Sequence, residues 1–175
     1  MVDWIDADIV PGNIDGAEDS VYMGQTPPYR AANRYITSTT ELLALPGFGR
    51  DRYLALAPYV TALPIDAKIN VCTAKDKVLD AFLASGQTDF SSTQGQLEKN
   101  RTGSPGCFPT LDNYRAAFRD QKAWANVQQR LGTTSAYFRL TSFVTIGSAQ
   151  FNLYSLLYRE NSGTVRPIQR SFTPD

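Results

Sequence analysis

The sequence contains no histidine. That removes the commonest general base and the usual zinc ligand. Its only cysteines are Cys72 and Cys107, and no paired-cysteine zinc motif is present. It carries no net charge, because 17 acidic residues cancel 17 basic ones. A balanced chain argues against a general nucleic-acid or membrane-surface binder. There is no apolar run of about 18 residues to span a bilayer as a helix, and no signal-peptide pattern. G-x-S-x-G, a P-loop and G-x-G-x-x-G are also missing. No motif supports an enzyme, so the reading is non-enzymatic.

What is present is an uneven distribution of charge. Residues 1–29 hold six carboxylates (Asp3, Asp6, Asp8, Asp15, Glu18 and Asp19) and no cation; the first cation is Arg30. The net charge is −6 there and +6 over the rest, which holds 11 acids and 17 bases. Calcium takes six to eight oxygen ligands, and carboxylates on a glycine-containing loop supply them. Asp6 and Asp8 have the D-x-D spacing of a calcium loop. The EF-hand template then fails: Val10 stands at the third ligand position, Gly12 is one place late, and Glu18 lies one residue past the bidentate position. Spacing alone leaves an irregular calcium loop and a solvated acidic surface equally open. Catalysis by paired carboxylates has no partner motif to support it.

Length allows one domain or two small ones. Residues 1–36 read as loop with a short helix near 17–23. "STTELLAL" opens a helix, with Ser38 and Glu41 as a capping box. "PGFG" breaks it, and "RDRYLALAPYV" resumes a helical pattern. "ALPIDAKINVCTA" reads as a connector. Thr73 with Asp76 then starts a helix over "AKDKVLDAFLAS", with Val78, Leu79, Phe82 and Leu83 apolar. A weak helical stretch lies near 92–100, and two more helices fall in 111–119 and 120–131. From residue 134 to 172, apolar and polar residues alternate in three runs joined by "GSA" and "NSG". That predicts a three-stranded antiparallel meander. Helices first and strands last is the α+β order. Three strands need a surface to cover one face. Phe138, Leu140, Phe143 and Val144 are therefore expected to pack on a helix, either local or upstream of this sequence.

"LPGFGRDR" resembles a helix-hairpin-helix turn. In nucleic-acid binders such a turn offers backbone N–H groups to phosphate, and Arg50 and Arg52 would add charge. Any tight helix–helix turn also needs glycines, and the neutral net charge favours that simpler reading. A nucleic-acid-binding module is kept as the alternative function. The cysteines leave two options: a single disulfide in an oxidising compartment, or two buried thiols.

The stretches "DWIDAD…GAEDSVY", "PPYRAANRYITSTTELLAL", "YLALAPYVTALP", "INVCTA…VLDAF" and "YFRLTSFVTIG…LYSLLYRE" occur in that order. Together they resemble the general secretion pathway protein K family, the large minor pseudopilin of type II secretion systems. The resemblance runs from Asp3 to about Ser171. It implies a pilin-like antiparallel sheet with a large, mainly helical inserted domain that holds the helix-hairpin-helix-like, SAM-like unit. Residues 1–15 would be an acidic loop at the junction, 16–131 the helical insertion, and 132–175 the returning sheet. The family's membrane-inserted hydrophobic helix is absent from the sequence. The resemblance therefore implies the soluble periplasmic part of an inner-membrane-anchored protein, touching membrane only through that missing helix. It also implies a place at the pseudopilus tip with the I-class and J-class minor pseudopilins, in protein secretion across the outer membrane. Secreted substrates are further candidate partners, and nucleic acid is not one. The family binds calcium, and the matching carboxylates are Asp6, Asp8, Glu18 and Asp19, with Asp15 beside them. "INVCTA" departs from the family's usual "NxNTA" by having Cys72 where a second Asn is common. In a periplasmic protein that departure suits a Cys72–Cys107 disulfide.

Overall fold

Helices in this chain are short, and the residues that stop them are visible. Thr39–Ala44 is capped by Ser38, whose Oγ accepts from Thr40 N (3.3 Å), while Glu41 Oε1 accepts from Ser38 N (3.1 Å). The expected capping box is therefore present. The element is a 3-10 helix and not an α-helix. Leu45 precedes Pro46, which pushes it to φ −74°, ψ 122°, so the run ends after six residues. Gly47 and Gly49 take φ +74° and +76°, conformations that side chains resist, and the next helix starts at once.

The computed structural model describes residues 1–12, 16–83, 87–92, 95–103 and 106–173. Two compact units divide the chain, Met1–Leu63 and the remainder from Pro64 onward. The acidic segment belongs to the first unit. This unit holds α1 (Val2–Ile5), α2 (Asp19–Tyr22), the 3-10 helix, and α3 (Arg50–Leu56), which runs into a 3-10 turn at Ala57–Tyr59. Its centre is aromatic. Trp4 and Tyr22 are buried. The Trp4–Tyr22 and Tyr22–Tyr29 ring centroids are 5.0 and 5.6 Å apart. Tyr29 Oη donates to Ala44 O at 2.6 Å, which ties the 3-10 helix to this cluster.

The second unit has α4 (Asp76–Asp80), α5 (Gln96–Gly103), α6 (Leu111–Ala116) and α7 (Gln121–Val127). Its core gathers Val71, Leu79, Leu83, Leu97, Tyr114, Phe118 and Leu131. Tyr114 Oη donates to Leu79 O at 2.5 Å, and burial pushes the phenol well above its usual range. Helix α4 is shorter than its apolar pattern suggests and begins after Lys75, so Thr73 is not its cap. Asp80 closes it. Its carboxylate accepts from Asp89 N (3.0 Å), Phe90 N (2.9 Å), Ser91 N (2.9 Å) and the Ser91 hydroxyl. Burial alone would raise the Asp80 pKa, but these bonds hold it below the usual range. The expected connector also contains β1 (Ile69–Asn70), paired in parallel with β2 (Leu131–Gly132). Arg101 donates to Phe108 O (2.8 Å), Val71 O (3.0 Å) and Ala74 O (2.8 Å). The same two segments are joined by a disulfide between Cys72 and Cys107.

The meander forms as the alternation predicts. β3 (Tyr137–Ile146), β4 (Ala149–Arg159) and β5 (Val165–Ser171) lie in sequence order, all antiparallel. The β3–β4 hairpin turns at Gly147, with φ +61°. Pro167 sits on edge strand β5 opposite Leu157, next to a bulge at Leu156/Leu157. Register puts Phe138, Leu140, Val144 and Ile146 on one face with Phe151, Leu153 and Leu157. Phe143 pairs with Asn152 and faces the other way, 80% exposed, so it does not join that set. Phe138 and Leu140 keep 40% and 45% exposure, so no described helix of this chain covers them fully.

The disulfide closes a sequence separation of 35 residues. Chain entropy assigns such a loop about 3–4 kcal/mol of stability. Thiol labelling of unreduced, denatured protein made in an oxidising compartment is expected to find no free thiols. Two reactive thiols per chain would contradict the pairing.

Candidate metal centre

Helix α1 stops at Asp6, which turns extended (φ −78°, ψ 166°) while its N–H still donates to Val2 O at 3.1 Å. The chain then turns on itself. Asp8 Oδ1 accepts from Val10 N at 2.8 Å, a local turn typical of aspartate. Glu18 stands at the N-cap of α2 with extended backbone. These turns bring one carboxylate oxygen each from Asp6, Asp8 and Glu18 to within 4.8 Å of one another. The triplet grades from exposed Asp8 through half-buried Asp6 to buried Glu18.

Glu18 is 3% exposed, yet neither of its carboxylate oxygens has a hydrogen-bond partner among the described residues. Asp6 Oδ1 is buried and unpartnered as well. Taking a carboxylate out of water without a donor is unfavourable. Burial raises the Glu18 pKa, and the like charges of Asp6, Asp3, Asp8 and Asp19 raise it further. The arrangement concentrates negative charge where no cation among the described residues answers it. Arg30 lies on Asp19 instead, at 3.8 Å. A bound cation would offset both the desolvation and the repulsion. The donors are all oxygen and irregularly spaced, which suits calcium better than zinc or octahedral magnesium. Three carboxylates supply part of a six-to-eight-ligand shell, and carbonyls and water commonly supply the rest.

Of the five carboxylates singled out in the sequence, Asp6, Asp8 and Glu18 converge. Asp15 lies outside the described residues. Asp19 is engaged elsewhere: Oδ1 accepts from Ala31 N at 3.0 Å, and Oδ2 faces Arg30. Asp3 was not singled out. It is 7% exposed, and its Oδ2 accepts from Gly12 N (3.3 Å) and Ala17 N (2.8 Å). Nothing in the spacing marks it, because its partners are backbone groups 9 and 14 residues away. The helix-hairpin-helix-like turn forms in this unit too, but Arg52 Nη1 folds back to donate to Gly47 O at 2.7 Å. That guanidinium closes its own turn, which takes a donor from the phosphate-binding reading.

Helices ahead of a three-stranded antiparallel meander make this an α+β protein with an acidic cluster of oxygen donors. The family model for type II secretion system (T2SS) protein K matches residues 1–65, the stretch that holds this centre. Type II secretion system protein K of Pseudomonas aeruginosa is 36% identical over 173 residues, covering 97% of this chain and 49% of the relative. The protein of that name from Pectobacterium carotovorum subsp. carotovorum is 31% identical over 173 residues, covering 97% and 52%. The chain belongs to the type II secretion system protein K family. It spans about half the length of the curated relatives it matches. The crystal structure of the GspK-GspI-GspJ complex from enterotoxigenic Escherichia coli superposes with TM-score 0.79 at 22% identity. It covers 99% of this chain and 61% of that one, and shows that the fold is shared.

The centre makes a thermal prediction. At a hundredfold excess over its dissociation constant, a cation stabilises by about 2.7 kcal/mol. For a chain of this size each kcal/mol moves Tm by about 2–4 °C. A chelator is therefore expected to lower Tm by several degrees, calcium to restore it, and Asp8→Ala to remove most of the difference. Identical melting in chelator and calcium would make the segment a solvated acidic surface.

Proposed function

We propose that this chain is the periplasmic part of a minor pseudopilin that sits at the pseudopilus tip of a type II secretion system. There it assembles with the I-class and J-class minor pseudopilins and serves protein secretion as a structural part, without catalysis. The observation that carries this reading is family membership together with a fold shared over nearly the whole chain with a protein solved as a GspK-GspI-GspJ complex. The apolar sheet face supports it. Phe138, Leu140, Ile146 and Phe151 are 39–66% exposed on one face of the meander, the kind of surface that takes a helix or a neighbouring subunit. None of the helices among the described residues is long and apolar enough to cross a membrane, so any anchor in the bilayer would come from outside them. We further propose that the ion of the acidic centre is calcium, held by Asp6, Asp8 and Glu18. It would give residues 1–63 a fixed shape before assembly. The nucleic-acid alternative has no supporting observation.

The test is assembly. When the chain is mixed with purified I-class and J-class pseudopilins at tens of micromolar, on the order of ordinary micromolar affinities, light scattering is expected to give the mass of a hetero-complex. A mixture that remains entirely monomeric would contradict the proposal.

A further inference from the structure

The two stretches that flank residues 13–15 meet at one atom. Asp3 Oδ2 accepts from Gly12 N at 3.3 Å and from Ala17 N at 2.8 Å. Ala17 immediately precedes Glu18, the buried member of the triplet. Gly12 lies four residues past Asp8. One carboxylate oxygen thus holds the backbone of Gly12 and of Ala17, on the two stretches that carry Asp8 and Glu18.

Asp3 is itself held firmly. It is 7% exposed and sits on α1 beside Trp4, which is buried in the aromatic cluster. Trp4 Nε1 donates to Glu41 Oε2 at 3.3 Å, and Trp4 O accepts from Asn33 N at 3.0 Å. The other Asp3 oxygen explains a glycine. A Cβ on Gly12 would lie 2.9 Å from Asp3 Oδ1, closer than Cβ atoms tolerate. A methyl group at Gly12 would thus have to shift the Asp3 carboxylate; Gly12 has no special backbone angle.

Asp3 stands outside the converging set of Asp6, Asp8 and Glu18. Resting on the reading of that set as a cation centre, we propose that Asp3 is its positioning residue. As a hydrogen-bond acceptor and not as a ligand, it fixes the loop so that Glu18 and Asp8 face the same point. Outer-shell partners of this kind set metal affinity by about 10–100-fold in known sites.

The test separates acceptor from charge. Asp3→Asn and Asp3→Ala lose the same negative charge, but only Asn keeps an oxygen that can accept from Gly12 and Ala17. Calcium affinity of the whole chain is measured by calorimetry for wild type and both variants. Asp3→Asn is expected to bind at least about tenfold more tightly than Asp3→Ala. Equal affinities for the two variants would overturn the proposal, whether both match wild type or both fall below it. If Asp3→Ala does not fold, Gly12→Ala decides, because its methyl group displaces the Asp3 carboxylate. A loss on the order of tenfold supports the proposal, and wild-type affinity overturns it. Failure of the wild type to bind calcium would instead remove the centre itself, a separate result.

Discussion

A carboxylate taken out of water must be paid for by donors or by a cation. Glu18 has neither among the described residues, although it is almost fully buried. Most of the surrounding geometry follows from how it comes to be placed there. Trp4, Tyr22 and Tyr29 form an apolar wall. Helix α2 starts at Glu18 and carries Tyr22 into that wall. Burying Tyr22 therefore buries the N-cap residue with it. Asp3, Asp6 and Asp8 are close enough to raise the Glu18 pKa, so repulsion adds to desolvation. Each neighbouring contact is favourable in itself, and together they leave one cost that a divalent ion would relieve.

The second unit solves a different problem. Its helices are too short to be stable alone, since isolated helices below about 12–15 residues are marginal. Tertiary groups supply the difference. Asp80 orders residues 89–91 through their backbone N–H groups. Arg101 gathers three carbonyls from two segments that the disulfide also joins. Tyr114, Phe118 and Trp124 stack edge to face at 5.3–5.4 Å, linking α6 to α7. The meander has a long β3–β4 ladder and an apolar face still partly open.

Elements with a strong local code were legible in the sequence. Ser38 and Glu41 marked a cap, and two-residue alternation with "GSA" and "NSG" marked three strands and their order. Other features had no local code. The β1–β2 pair is two residues long in each strand and joins positions 62 apart, so no periodicity could show it. The acidic segment was legible as a cluster of carboxylates, but not which of them would converge. Asp19 is drawn away by Ala31 N and Arg30, and Asp3 by two backbone amides, contacts set by the tertiary fold. Phe143 and Val144 are adjacent, so a two-residue period alone puts them on opposite faces. Grouping them as one packing surface missed what the pattern already contained.

The ion proposed to lie among Asp6, Asp8 and Glu18 can be looked for directly. Anomalous scattering from calcium-soaked crystals of the chain tests it most directly. A single anomalous peak is expected, with oxygens of all three carboxylates at about 2.3–2.6 Å. A map with no peak there, with the Glu18 carboxylate still buried and unpaired, would contradict it.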